Sequence, residues 1–140
     1  MMTSRNLQAA LLYFALVMGA GVALGCVRVP LLVPRIGERY AELLEMPFML
    51  AAIVLAARHV VRRFALSPRP GIRLQVGFVA LAMSVGAELT LAVAFQDRSV
   101  TAYVASRDPV SGSVYLVMLM VFALMPKILV CRRTTPRPPR

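Results

Sequence analysis

Four apolar runs, at roughly residues 7–27, 46–61, 74–95 and 112–131, limit what this chain can fold into more than any other feature in it. A helix needs about 20 residues to cross the ~30 Å of hydrocarbon in a bilayer, and each run is close to that length. Composition agrees: 59% of the 140 residues are hydrophobic and the mean hydropathy is +0.74, beyond the roughly 45–50% apolar share of a soluble domain. The expected fold is all-α, a four-transmembrane-helix bundle formed by residues 1–131 as one domain. Its helices are expected at about 7–27, 35–64, 74–95 and 109–131. Residues 132–140, ending in "TTPRPPR", form a basic tail too proline-rich to pack and are expected to be disordered.

Charge gives the orientation. The net charge is +10, from 16 Lys and Arg against six Asp and Glu, a balance that taken alone admits a nucleic-acid partner. With the N-terminus inside, the inner face holds Arg5, Arg58, Arg62, Arg63, Arg69, Arg73, Lys127, Arg132, Arg133, Arg137 and Arg140, which is 11 of the 16 cations and no acid. On the outer face Arg28, Arg35, Arg39, Arg98 and Arg107 are cancelled by Glu38, Glu42, Glu45, Asp97 and Asp108. This is the positive-inside pattern, so both termini are expected in the cytoplasm and nucleic acid is set aside. The inner cations are expected to meet anionic lipid headgroups, through Arg62, Arg63, Arg69, Arg73, Arg132 and Arg133.

Arg5 followed by an apolar run ending "ALGC" invites reading as a cleaved leader. The run is longer than the roughly 7–15 residues of a signal core, and Ala23 stands where a lipoprotein box carries leucine. The first helix is therefore expected to stay. Gly21 and Gly25 within it offer a smooth strip for a neighbouring helix. Cys26 and Cys131 fall a membrane thickness apart, too far for a disulfide.

Residues 28–50, "RVPLLVPRIGERYAELLEMPFML", carry unusual polar content for such a chain. Pro30 and Pro34 disfavour helix, which predicts an extended connection over 28–34. A helix is expected to start near Arg35, with Glu38, Glu42 and Glu45 on one stripe as an outer amphipathic extension of the second membrane helix, and with a kink at Pro47. Glu45 and Arg58 are separated by 13 residues, about 20 Å of helix, so one of them must sit below the membrane surface. Arg58 can snorkel, but glutamate is short, so Glu45 is expected to point into the bundle.

Glu88 is the acid well inside the third apolar run, about 22 Å from Arg73 along a helix. A charge there costs roughly 2.5–3.5 kcal/mol on insertion scales and marks either a function or a structural pair. In the structural account Arg28 or Arg35 neutralises Glu88 and Glu45 in a buried network that fixes helix register. In the functional account the carboxyl exchanges a proton or cation, as a coupling site does. The Glu38, Glu42, Glu45 stripe also has the chemistry of a divalent-cation site, although Arg35 and Arg39 among the glutamates favour a salt-bridged face. His59 is a lone imidazole between arginines and cannot build a metal or haem site. No phosphate-binding glycine loop and no nucleophile with a base in reach is visible, so neither cofactor nor enzyme activity is expected.

The stretch "LGCVRVPLLVPRIGERYAELLEMPFML" with "ASRDPVSG" and "FALMP" resembles a group of small bacterial four-helix integral membrane proteins with no assigned activity. The resemblance covers most of the chain and implies a bacterial inner (cytoplasmic) membrane address and no catalytic residues. Small multidrug resistance transporters differ: their essential glutamate lies in the first helix and their charge bias is weak. Four-helix thiol oxidoreductases need paired cysteines. The reading that results is a non-enzymatic accessory or interaction subunit partnered by the bilayer and by another membrane protein or itself, with a proton- or cation-coupled carrier or channel using Glu88 and Glu45 as the alternative.

Overall fold

Helix α1 (Ser4–Val27) begins where Thr3, in an extended conformation, accepts the Asn6 N–H on its side-chain oxygen at 3.3 Å, satisfying one of the donors that a helix start leaves orphaned. In this computed structural model, which describes residues 2–96 and 99–131, the chain does not become extended after Val27. It passes through a π-helical turn at Arg28–Leu32 into a short helix α2 (Val33–Ile36). Proline's fixed φ is compatible with helix, and only its missing N–H is a problem. That defect is absorbed by widening the turn, with the Val33 N–H bonding five residues back to Arg28, as a π-bulge does. Ser4–Ile36 is thus one apolar rod of 33 residues, about 50 Å long and longer than the hydrocarbon is thick.

The rod ends at Gly37, whose φ of +83° is open to glycine and rarely to other residues. Helix α3 (Glu38–Arg63) follows and runs through Pro47 without interruption. Its end is a Schellman arrangement: the Ala65 N–H bonds to Arg62 and the Leu66 N–H to Val61, both at 3.2 Å, with Ala65 at φ +43°. Helix α4 (Pro70–Gln96), a short α5 (Val100–Ala105) and α6 (Pro109–Cys131) complete the chain. No strand is present among the described residues, and four helices are long and apolar enough to cross a membrane. The tail at 132–140 lies outside the described residues, as do Asp97 and Arg98.

Each membrane helix packs on two neighbours, α1 and α6 both lying against α3 and α4. The buried face of α1 is Ala9, Ala10, Tyr13 and Val17, that of α3 is Ile53, Ala56, Ala57 and Val60, and Phe122 and Met125 project from α6. Alanine and glycine let backbones approach, which is how membrane helices gain packing when no hydrophobic force separates lipid from side chain. The closest approach is not at the Gly21 and Gly25 strip. A Cβ on Gly21 would meet only the Met49 side chain at 3.8 Å, and one on Gly25 would meet nothing. At Gly77 a Cβ would fall 1.9 Å from the Ala123 carbonyl oxygen, so α4 and α6 touch backbone to side-chain-free backbone.

Tyr13 spans the bundle. Its buried hydroxyl donates to the Phe122 carbonyl at 2.7 Å, and its ring lies 4.6 Å from that of Phe122. Pro126, fully buried four residues on, cannot supply the N–H that this carbonyl would otherwise receive. The α1 tyrosine therefore repairs a gap in α6.

One end of the bundle gathers the start of α1, the end of α3 and the start of α4. There Arg5 donates to the Phe64 carbonyl, and Arg73 donates to the carbonyls of Leu66 and Ser67 at 3.1 and 3.0 Å. Arg73, expected to contact headgroups, is buried instead and closes the turn between α3 and α4. Arg62, Arg63 and Arg69 are exposed. Arg132 and Arg133 are outside the described residues.

Candidate functional site

The polar chemistry collects at the opposite, distal end. Counting along each helix at 1.5 Å per residue puts Arg28 about 36 Å from Ser4, Glu45 about 27 Å from Arg63, Glu88 about 27 Å from Pro70 and Tyr115 about 24 Å from Cys131. Four helices thus deliver polar side chains to one level, near the far boundary of a ~30 Å hydrocarbon layer.

Arg28, in the π turn, reaches between Glu42 and Glu45, which are one turn apart on α3. Its guanidinium is 3.4 Å from a Glu42 oxygen and 3.1 Å from a Glu45 oxygen. Glu42 is buried, and Arg107, just before α6, approaches the same oxygen at 3.5 Å. The Arg107 guanidinium also lies 4.8 Å from the centroid of the Tyr115 ring, within the ~6 Å reach of a cation–π contact. The Tyr115 hydroxyl in turn donates to Glu88. A continuous path therefore runs Glu45, Arg28, Glu42, Arg107, Tyr115, Glu88. Below it lies a cavity of about 300 Å³ whose polar wall is made by these six side chains and Ser84, and whose apolar wall includes Met18, Met46, Met49 and Met118.

A second pair sits outside this path. Arg39 donates to one Asp108 oxygen from Nε at 3.0 Å and Nη2 at 2.5 Å, while the other oxygen accepts the Val110 and Ser111 N–H groups at 3.1 Å each. One carboxylate thus caps α6 and ties it to α3. The Arg39 hydrogen bond, helped by these backbone donors, lowers the Asp108 pKa from 3.8 to about 2.

The sequence pointed to Glu88, Glu45, Glu42, Glu38, Arg28 and Arg35. The structure brings Arg28, Glu42, Glu45 and Glu88 to the cavity, whereas Glu38 and Arg35 are exposed and line none of it. The partnering differs from the expectation that Arg28 or Arg35 neutralises Glu88: Arg28 is held by the two α3 glutamates, and Glu88 is met by a phenol. Arg107 and Tyr115 escaped sequence reading. Asp108 and Pro109 mark the start of α6 and so place Arg107 at its threshold, but Tyr115 is one aromatic in an apolar run and nothing local gives its facing.

Chemically, three carboxylates and two guanidiniums share the cavity, one negative charge in excess when all are ionised. Among the described residues no group of three or more His, Cys, Asp or Glu is placed to hold a metal ion; Arg28 occupies the space between Glu42 and Glu45 where a divalent ion would sit. Comparison with protein-family models, with curated proteins and with solved structures gives no match, so the geometry at the distal end is what a functional reading has to rest on.

Proposed function

We propose that this chain is a non-enzymatic multi-pass protein of a bacterial inner membrane, with both termini cytoplasmic, that serves as an accessory or interaction subunit whose outer Arg and Glu network sets the register of its helices. The observation that carries this reading is the pairing: Glu42 has Arg28 and Arg107, Glu45 has Arg28, and Glu88 has Tyr115. Each carboxylate is engaged from another element, Glu42 and Glu45 on α3 from the π turn and the threshold of α6, and Glu88 on α4 from α6, which supports a role in holding those elements together. Buried pairs contribute little net stability against apolar replacements, and specifying one arrangement of helices is a better attested use of them.

A small proton- or cation-coupled carrier or channel is the second reading, favoured by the cavity between Glu45 and Glu88. Glu88→Gln separates the two. Glutamine keeps an oxygen that accepts from Tyr115 but cannot exchange a proton. The structural reading predicts wild-type stability for Glu88→Gln, lower stability for Glu88→Ala, and no protein-dependent proton or cation flux in proteoliposomes. Flux present in the wild type and abolished in Glu88→Gln would reverse the assignment.

A further inference from the structure

The end of the bundle that holds the start of α1 and the end of α6 has a groove of its own. A cavity of about 360 Å³ opens between α3 and α6, walled by Val54, Met125, Ile128 and Leu129, with Arg58 and Arg62 at its rim. The two arginines stand at i and i+4, on one face of α3, and both are exposed. Neither has an ion-pair partner among the described residues, and the described acids, Glu38, Glu42, Glu45, Glu88 and Asp108, belong to the distal end. His59 and Arg63 flank the same rim and add no negative charge. Arg73 also borders the groove, and its guanidinium is engaged by the Leu66 and Ser67 carbonyls.

Two features together define the occupant. From Arg62 to Val54 the groove descends about 12 Å along α3, into the hydrocarbon layer, where an alkyl chain matches its walls. At its mouth two uncompensated guanidiniums sit at headgroup depth, and a fork of N–H donors suits phosphate oxygens. A zwitterionic headgroup brings its own ammonium and would bring it against Arg58 and Arg62. We propose that this groove is a discrete site for one anionic phospholipid, with its phosphate on Arg58 and Arg62 and one acyl chain along Val54, Met125 and Leu129. The site is distinct from the distal network and stands or falls independently of the function proposed above.

The test is native mass spectrometry of the full-length chain in mild detergent, titrated with phosphatidylglycerol or with phosphatidylcholine of the same chain length. The expected result is a single saturable phosphatidylglycerol, preferred over phosphatidylcholine by about 30-fold, the product of roughly fivefold from each arginine near a charged headgroup. Arg58→Gln with Arg62→Gln should erase the preference, while Arg69→Gln, an exposed cation away from the groove, should leave it unchanged. Val54→Trp fills the slot with both arginines in place and should remove the bound lipid. Equal retention of the two lipids by the wild type, a progressive series of bound lipids without saturation, or full binding by Val54→Trp would each overturn the proposal, the first two without need of any variant.

Discussion

Replacing Tyr13 by Phe tests the bundle at its centre, because it removes one oxygen and leaves the ring against Phe122. The Phe122 carbonyl then has no donor from Tyr13 and none from Pro126, and it sits about 13 Å from the end of α6, inside hydrocarbon. An unsatisfied buried acceptor costs about 1–3 kcal/mol. Interhelical hydrogen bonds in membrane proteins average near 0.6 kcal/mol, with a ceiling near 1.7, because the unfolded helix also finds partners. Here the unfolded α6 has the same proline and the same orphan carbonyl, so the loss should lie near the upper end, about 1.5 kcal/mol. Pro126→Ala restores the helical N–H, and Tyr13→Phe in that background should cost less than about 0.5 kcal/mol. A double-mutant cycle of reversible unfolding in mixed micelles then yields a coupling of about 1 kcal/mol. If Tyr13→Phe costs the same with and without Pro126, or costs nothing, the hydroxyl is not repairing that gap and the reasoning fails.

Gly77→Ala places a methyl group 1.9 Å from the Ala123 carbonyl oxygen, and the helices must part; a loss of about 3 kcal/mol or more is expected, and an unchanged melting temperature would refute the close approach. Ala65→Gly should stabilise by about 0.5–1 kcal/mol, since a left-handed alanine costs about 1–2 kcal/mol and glycine returns part of that as unfolded-chain entropy, measurable in the same unfolding assay. The lowered pKa of Asp108 means that its charged form is favoured by folding. The sign follows: this contribution is present above the usual pKa of 3.8 and is lost as the pH falls through about 2. Acid titration of wild type against Asp108→Asn should converge over that window, and Asp108→Ala, which also loses the helix cap, should be the less stable of the two variants at neutral pH.

Hydropathy runs and charge made the four helices legible, since length against bilayer thickness decides them with no tertiary information. What the sequence hid is the behaviour of proline and the facing of single residues. Pro30 and Pro34 read as breakers because a missing donor stops a regular α-helix, and only the whole rod shows that one widened turn accommodates them. The true reversal falls at Gly37, the residue whose positive φ few others adopt. Glu45 was readable because the 13 residues from it to Arg58 cannot span a bilayer, and Glu42 because it shares the stripe of Glu45. Tyr115 was not, since its role depends on the rotation of α6 relative to α4, which close packing at Gly77 fixes from outside the local sequence. Arg73 misled for a similar reason: its charge pattern is that of a headgroup contact, and the turn it closes appears only once α3 and α4 are assembled.

The polar side chains of the spans divide by what they serve, and the division isolates the distal cluster. Tyr13, Thr90 and Ser113 each give a hydroxyl to a backbone carbonyl, those of Phe122, Gly86 and Pro109 respectively. Arg73 does the same for two loop carbonyls. The Tyr13 and Arg73 bonds satisfy main-chain carbonyls, and in Thr90 and Ser113 the carbonyl one turn back satisfies the hydroxyl itself, so none of these needs another explanation. The chain from Glu45 to Glu88 satisfies side chains only, each introduced at an insertion cost of roughly 2.5–3.5 kcal/mol for a central charge and less near the boundary. Leu or Met at those positions would insert more readily and pack as well. Ion pairs that could be replaced at a gain in stability persist where they exclude other arrangements. In this bundle α1, α4 and α6 are interlocked at two points, Tyr13 on Phe122 and Gly77 against Ala123, and neither point involves α3. A one-turn slip of α3 would carry one glutamate of the Glu38, Glu42, Glu45 stripe to the place of the next, whereas a rotation of α3 would turn the whole stripe away from Arg28 and Arg107, so these pairs specify which face of α3 meets the π turn and the start of α6. On the function proposed above, the distal network holds the facing of α3 at its polar end, and Tyr13 and Gly77 hold α1, α4 and α6 along their length.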